Sequence, residues 1–241
     1  MDVRWEEAGW ERLTRRTGRR RLPVWDCTVG LVVGDDSVLV VDPGSSLREG
    51  ARVRAEAERL TGRRVTHIAF THGHFDHVLA GAAFSGAEVY GAVGLDAELL
   101  AGGDGLRRDA VRHGLDPAEA AEAADLLVPP RHLVSGEWTL ELGGVQALLA
   151  NVGPGHTGYD LAVFVPGERE TVFCGDLVEE SGEPQAGPDA VPGQWPAALD
   201  RLLALGGEDA LYVPGHGAVV DAAFVRAQRD TLSARFGVSG V

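Results

Sequence analysis

The stretch Val65-Thr66-His67-Ile68-Ala69-Phe70-Thr71-His72-Gly73-His74-Phe75-Asp76-His77 carries the densest chemistry in this chain. Its first half, Val65 to Phe70, is a short apolar run that reads as a buried strand. Positions 72–77, directly after it, hold three His and one Asp. A strand end is a rigid platform, and the loop beyond it is where function usually sits. His72 and His74 alternate and can converge on one metal ion, while Asp76 and His77 project otherwise and reach a second. Imidazole and carboxylate suit zinc and, less selectively, iron or manganese. Three of the eight histidines of the whole chain fall here, which argues against a merely decorated loop.

Three separate signals extend the set. Gly153-Pro154-Gly155-His156-Thr157 comes after the strand expected to end near Val152, Phe173-Cys174-Gly175-Asp176 ends another strand in an Asp, and Val213-Pro214-Gly215-His216-Gly217 comes after a third. Each sets one potential ligand just beyond an apolar run, beside a glycine that leaves room for a tight turn.

Around these motifs the chain reads as alternating strands and helices. Cys27 to Val33 and Val38 to Asp42 are β-branched runs split by Gly34-Asp35-Asp36-Ser37, a hairpin signal. A turn at Asp42-Pro43-Gly44 leads into a helix over Leu47 to Thr61. Val78 to Phe84 reads as a short helix and Ala87 to Tyr90 as a strand. Residues 95–132, with a run of glycines, a charged segment and an Ala/Glu helix at 116–127, read as a helical excursion. Further strands are expected at Trp138–Leu142, Val145–Val152, Leu161–Val165, Thr171–Cys174 and Leu211–Val213, and helices at Pro196–Leu205 and Asp221–Phe236. Gly182 to Gly193 is a long Pro/Gly-rich loop. No linker forces a division, so residues 1–241 are expected to form one domain.

Composition narrows the function classes. The chain has 241 residues, 44% hydrophobic and 24% charged, ordinary for a globular protein and wrong for a disordered or collagen-like one. It contains no lysine; all 22 cations are Arg, against 36 acids, for a formal charge of −14. That balance argues against a nucleic-acid partner, since phosphate binding needs basic surface. No run approaches the ~18 apolar residues of a membrane span. Two cysteines, Cys27 and Cys174, are too few for a disulfide framework and point to a reducing, cytoplasmic setting. Arg15 to Arg21 superficially resembles a twin-arginine export signal, but Pro23, Asp26 and Gly30 interrupt the stretch beyond it, and no signal peptide is expected. Residues 1–21 hold seven Arg against four acids and read as a solvated edge arm.

With the pattern His72-x-His74-x-Asp76-His77 and the motifs at 153–157, 173–176 and 213–217, the sequence resembles the metallo-β-lactamase-fold superfamily. The resemblance spans almost the whole chain, from the hairpin before Asp42-Pro43-Gly44 to Gly215-His216-Gly217. It implies a four-layer αββα sandwich, two mixed sheets facing each other with helices outside. It also implies that His72, His74 and His156 hold a first metal, that Asp76, His77 and His216 hold a second, and that Asp176 bridges them. Two Zn²⁺ are the implied cofactors, with Fe or Mn as substitutes. The bridging Asp sets the chain apart from the commonest β-lactamases, which place Cys there, and points to the glyoxalase II/lactonase-like branch. Only 25 residues come after His216, too few for the helical glutathione domain of long-type glyoxalase II.

The implied reaction is hydrolysis of a small ester, thioester or lactone by a hydroxide shared between the two metals, with Asp76 and Asp176 as the catalytic carboxylates. A mononuclear iron persulfide dioxygenase keeps the same ligands and is the main alternative. A β-lactam or phosphodiester hydrolase also fits this fold. Tyr159, three residues after His156, is a candidate hydrogen-bond donor to substrate, although a half-buried sheet-edge tyrosine is the simpler reading. Arg107, Arg108 and Arg131 are available for an anionic group if the 95–132 excursion forms a pocket wall. His67 reads as a packed core histidine, and Trp138 and Trp195 as packing residues. A small-molecule substrate, no membrane, and a monomer or homodimer complete the expectation.

Overall fold

The computed structural model describes residues 3–5 and 9–238. A seven-stranded sheet runs β1 (Glu11–Arg12), β2 (Thr17–Arg21), β3 (Thr28–Val33), β4 (Val38–Val41), β5 (His67–Ala69), β6 (Glu88–Ala92) and β7 (His132–Val134) in spatial and sequence order. It is antiparallel up to β4 and parallel from β4 to β7. A five-stranded sheet faces it, comprising β8 (Glu137–Glu141), β9 (Gln146–Asn151), β10 (Leu161–Val165), β11 (Thr171–Glu179) and β12 (Leu211–His216). Only its β11/β12 pair is parallel.

The alternation of apolar residues explains the layering. In β3 and β4, Val29, Leu31, Val33, Val38 and Val40 pack toward the helices, while Val32, Leu39 and Val41 pack toward the other sheet. A strand with period 2 buries both faces in this way, and each such side chain contributes roughly 1.5–3 kcal/mol when fully buried. Leu149, Leu161, Val163 and Phe173 meet them from the five-stranded sheet. Helices α1 (Leu47–Thr61), α2 (Phe75–Val78), α3 (Leu95–Arg112) and α4 (Pro117–Asp125) belong to one side; α5 (Trp195–Gly206) and α6 (Ala222–Phe236) cover the other. The expected αββα sandwich is the observed architecture. Helix α1 occupies the span read from sequence because Ser46 caps its Glu49 N–H, Gly62 closes it at φ 66°, and Gly50, Val53, Ala57 and Thr61 form one buried stripe. Among the described residues no helix is long and apolar enough to cross a membrane.

The structure corrects several expectations. The described residues of the basic N-terminal arm are more than a solvated edge: Arg4, Arg12, Arg15 and Arg21 are exposed, but β2 pairs with β3 and Arg19 is only 3% exposed. Its guanidinium binds Glu11 Oε2 at 2.7 Å and donates to the Gly217 carbonyl at 2.8 Å, while Trp5 and Trp10 are buried in the same segment. The strand expected to stop at Cys174 continues to Glu179 through an irregularity at Gly175, so Asp176 lies within a strand. The short helix expected over Val78–Phe84 is instead the single turn α2 and a 3-10 turn at Gly81–Phe84. Trp138 is 42% exposed, a rim residue against Tyr90 and His132 rather than a core one. The helical excursion expected over 95–132 is present as α3 and α4, with α3 running straight through the glycines at 102, 103 and 105.

Candidate metal centre

The seven candidate ligands meet at one end of the sandwich, where the two sheets face each other. His72 and His74 lie on the loop after β5, and Asp76 and His77 project from α2, the next turn of the chain. His156 comes from the β9–β10 connection, Asp176 from within β11, and His216 from the last position of β12. Helix α2 is anchored from behind: Phe75 packs edge-on against Trp25 at 5.2 Å, and Leu79 joins Ala110, Ala120 and Ala123 of α3 and α4.

Two donor groups share one carboxylate. His72, His74, His156 and Asp176 have ligand atoms that lie mutually within 4.8 Å, as do His77, Asp176 and His216. Asp176 Oδ1 is 3.3 Å from His77 Nε2, and its Oδ2 is 3.3 Å from His216 Nε2, 3.5 Å from His156 Nε2 and 3.6 Å from His72 Nε2. Asp76 Oδ2 stands 3.3 Å from His216 Nε2 and 3.6 Å from His77 Nε2. Two glycines permit this convergence. A Cβ at Gly215 would come within 1.9 Å of Asp176 Oδ1, and one at Gly175 (φ 53°) within 2.5 Å of Thr71 Oγ1.

Each imidazole is fixed through the nitrogen that faces away from the centre. His72 Nδ1 meets Thr71 Oγ1 at 3.0 Å, and His77 Nδ1 meets Asp42 Oδ2 at 3.0 Å. His216 Nδ1 meets the Trp25 carbonyl at 2.8 Å, and His156 Nδ1 the Gln185 carbonyl at 3.2 Å. His74 is reversed: its Nε2 meets Asp189 Oδ2 at 2.9 Å, while its Nδ1 sits 3.0 Å from His156 Nε2. Outer acceptors of this kind orient ring nitrogens toward a cation. The buried His72 Nε2 and Asp176 Oδ1 have no hydrogen-bond partner among the described residues. Two such atoms aimed into a cluster of imidazoles and carboxylates fit a divalent cation.

Electrostatics divides the histidines. Burial holds His156 down to about 4 and His72 well below its ordinary value, so both are neutral donors at pH 7. Burial also opposes protonation of His216, but the Asp176 charge and hydrogen bonds to Asp176 and Asp76 outweigh it and raise the group to about 12. Asp176 itself is held well below the carboxylate range: burial opposes its charge, and His77, His216 and His72 overcome that. A cation bound by His216 has to displace its proton, so cation uptake and proton release are coupled.

A cavity of about 820 Å³ opens onto Asp76, Asp176, His74, His156 and His216. Trp25, Phe75, Leu99 and Leu106 give it apolar walls, and the glycine face of α3 at Gly102 and Gly105 forms one side. Of the three arginines considered for an anionic group, only Arg108 lines it; Arg107 pairs with Asp104 at 3.3 Å. Tyr159 packs its ring over Gly94 and is not among the lining residues. Trp195 is fully buried with its indole 5.3 Å from the His156 ring, a packing partner of the site as well as of the core. His67 is half-buried, with Nδ1 at 2.8 Å from Thr66 Oγ1.

Sequence reading misses the outer residues. Asp42 is legible as part of a turn, and its positive φ of 53° marks it as more than that. Asp189 and Gln185 lie 33 and 29 residues beyond His156, in a loop without periodicity, and no local signal ties them to the centre. Asp160 is equally silent in the sequence. Its carboxylate accepts from the Thr157 N–H at 3.0 and 3.1 Å and from the Thr157 hydroxyl at 2.7 Å, closing the turn that presents His156. Burial nonetheless raises it from 3.8 to about 7. A carboxyl so raised contributes stability that is fully present below its ordinary value and is lost as pH climbs through about 7. Asp160→Asn is therefore expected to flatten part of the decline in urea midpoint between pH 4 and pH 8; an identical decline in both proteins would refute it.

The sequence model of the metallo-beta-lactamase superfamily matches residues 22–216, and the chain belongs to that superfamily. Its members are mostly metal-dependent hydrolases. Metallo-beta-lactamase domain-containing protein 1 of Xenopus laevis is 29% identical over 160 residues, 66% of this chain and 57% of that protein. The chain thus spans little more than half the length of this relative. Among solved structures, a metallo-beta-lactamase from Pontibacter korlensis superposes with a TM-score of 0.71 at 18% identity, covering 93% of this chain and 98% of that one. The metallo-beta-lactamase FIM-1 from Pseudomonas aeruginosa, in its mono-zinc form, gives 0.70 at 19% identity over 99% and 98%. At such identities the likeness is one of fold.

Proposed function

We propose that the protein is a dinuclear metal-dependent hydrolase of the glyoxalase II/lactonase-like branch, acting on the carbonyl of a small ester, thioester or lactone. The observation that carries this reading is Asp176, which belongs to two of the three donor groups at once, the third being Cys27, Asp76 and His77. In it His72, His74 and His156 would hold one cation and Asp76, His77 and His216 the other, with Asp176 the carboxylate shared between them. Zinc is the cation that this nitrogen-rich donor set suits best, with iron or manganese next. A bound pair of divalent cations supplies an acidified water as nucleophile and a Lewis acid for the carbonyl oxygen.

The residues themselves do the positioning. Asp76 faces the cavity beside His216, where its carboxylate would help hold the second cation and orient the attacking water. Asp176 holds the donors of both groups within reach of one another. Trp25, Phe75, Leu99 and Leu106 exclude bulk water and receive the apolar part of a substrate. The cavity volume is that of a small-molecule site. Glu98, Asp109, Glu183 and Asp189 also line it, which disfavours a polyanion such as a nucleic acid.

The test is a hydrolysis panel of lactones, thioesters, β-lactams and phosphodiesters on protein of measured metal content. Turnover of one of the carbonyl classes with two equivalents of zinc is expected. Two bound zinc ions without turnover of any carbonyl substrate would overturn the proposal. Stoichiometric iron with oxygen consumption on a persulfide would replace it with the dioxygenase reading.

A further inference from the structure

The outer supports of the histidines fall into two kinds. His72, His77 and His216 lean on the framework: Thr71 and Asp42 are buried where the sheet ends, and the Trp25 carbonyl lies beside the Cys27–His216 bridge. His74 and His156 lean instead on one surface loop, residues 182–193, through the Asp189 carboxylate and the Gln185 carbonyl. That loop has few ties of its own to the body. Val191 N–H donates to the Gly155 carbonyl at 2.9 Å, and Arg235 reaches the Pro184 carbonyl at 2.9 Å. Gly187 leaves room for the Asp189 carboxylate, since a Cβ there would lie 2.8 Å from its Oδ1. The same loop lines the cavity with Glu183, Gln185, Pro188 and Asp189.

We infer that Asp189 is a positioning residue for the three-histidine subsite, and that the 182–193 loop couples the cation affinity of that subsite to the shape of the cavity. This rests on the metal centre proposed above. The inner nitrogens, His74 Nδ1 and His156 Nε2, stand 3.0 Å apart and converge. Donating both lone pairs to one cation forces the outer nitrogens, His74 Nε2 and His156 Nδ1, to carry the protons. Both protons then meet acceptors on the one loop. Cation binding therefore fixes two loop contacts, and by linkage a docked loop tightens the cation to the same degree. A substrate that presses on Glu183 or Pro188 acts on the same equilibrium. The second subsite, held by Asp42 and the Trp25 carbonyl, lies outside this coupling.

The experiment needs no substrate, so it separates this inference from the hydrolase assignment. Zinc affinities are measured by competition with a chromophoric chelator, and backbone hydrogen exchange of residues 183–191 is followed with and without zinc. Asp189→Ala is expected to weaken one of two zinc equivalents by ~10–100-fold and leave the other within about threefold. Asp189→Asn keeps an acceptor oxygen and should fall between the two. Zinc should slow exchange in the loop of the wild-type protein and slow it less in Asp189→Ala. Unchanged affinities for both equivalents, or loop exchange indifferent to zinc, would overturn the coupling while leaving the metal centre intact. A wild-type protein that binds no zinc overturns both.

Discussion

Asp176→Ala is expected to lose one of two metal equivalents and to lower turnover by more than ~10²-fold, beyond the usual effect of an outer-support change. The carboxylate stands within 3.6 Å of four imidazoles, so no neighbour can take its place. Its removal also strips His216 of the charge that most favours its protonated form. In the metal-free protein this also removes a mostly buried ion pair with His216, a change worth up to about 3–5 kcal/mol when one partner is left behind. Asp176→Asn separates the two effects, because it keeps the shape and one acceptor oxygen but cannot join two cations. Metal analysis by mass spectrometry together with steady-state turnover reads both variants. Full turnover with two equivalents bound in either variant would refute the bridging role.

The second large effect is expected at a residue that touches no substrate. Asp42 is 2% exposed and satisfies three donors: Thr71 N–H at 2.8 Å, the Thr71 hydroxyl at 2.7 Å and His77 Nδ1 at 3.0 Å. Asp42→Ala leaves all three buried without an acceptor, at a cost of about 3–5 kcal/mol by the same reasoning. It also frees the His77 ring, so the equivalent bound with His216 should weaken by ~10–100-fold. Backbone strain is separable from charge here. Asp42 has φ 53°, where a Cβ costs roughly 1–2 kcal/mol, so Asp42→Gly should be the milder variant by about that much. Urea denaturation of the three proteins, with zinc and with chelator, measures both terms. A wild-type midpoint in Asp42→Ala would show that the hydrogen bonds add nothing.

Much of this is legible in the chain because the physics behind it is local. Six residues, 72–77, hold four candidate ligands, and the β-branched runs at Cys27–Val33 and Val38–Asp42, split by Gly34 to Ser37, announce the hairpin of β3 and β4. Helix α1 can be bounded from its caps, Ser46 and Gly62. The parts that escape depend on partners distant in sequence. Arg19 reads as a surface cation until Gly217, 198 residues on, is found accepting its proton. The strand through Asp176 reads as ended because Gly175 breaks the β-branched run, yet the irregularity there is what turns Asp176 toward the centre. Asp189 carries no motif; only the folded loop brings it to His74. The helical excursion read over 95–132 holds even at the glycines of α3, where packing of Leu95, Leu99 and Ala110 outweighs their low helix propensity.

The seven donors are unevenly shared between the two halves of the sandwich. Four come after β5 in the seven-stranded sheet, and three belong to the five-stranded sheet, with His72 and His216 separated by 144 residues of chain. A cation held from both sides would be a rivet through the seam where the sheets part, closing a loop as long as many whole domains. Its grip and the mutual alignment of the two sheets would then be one mechanical property, so a substitution in either half that tilts its sheet is expected to be felt first as a loosened ion.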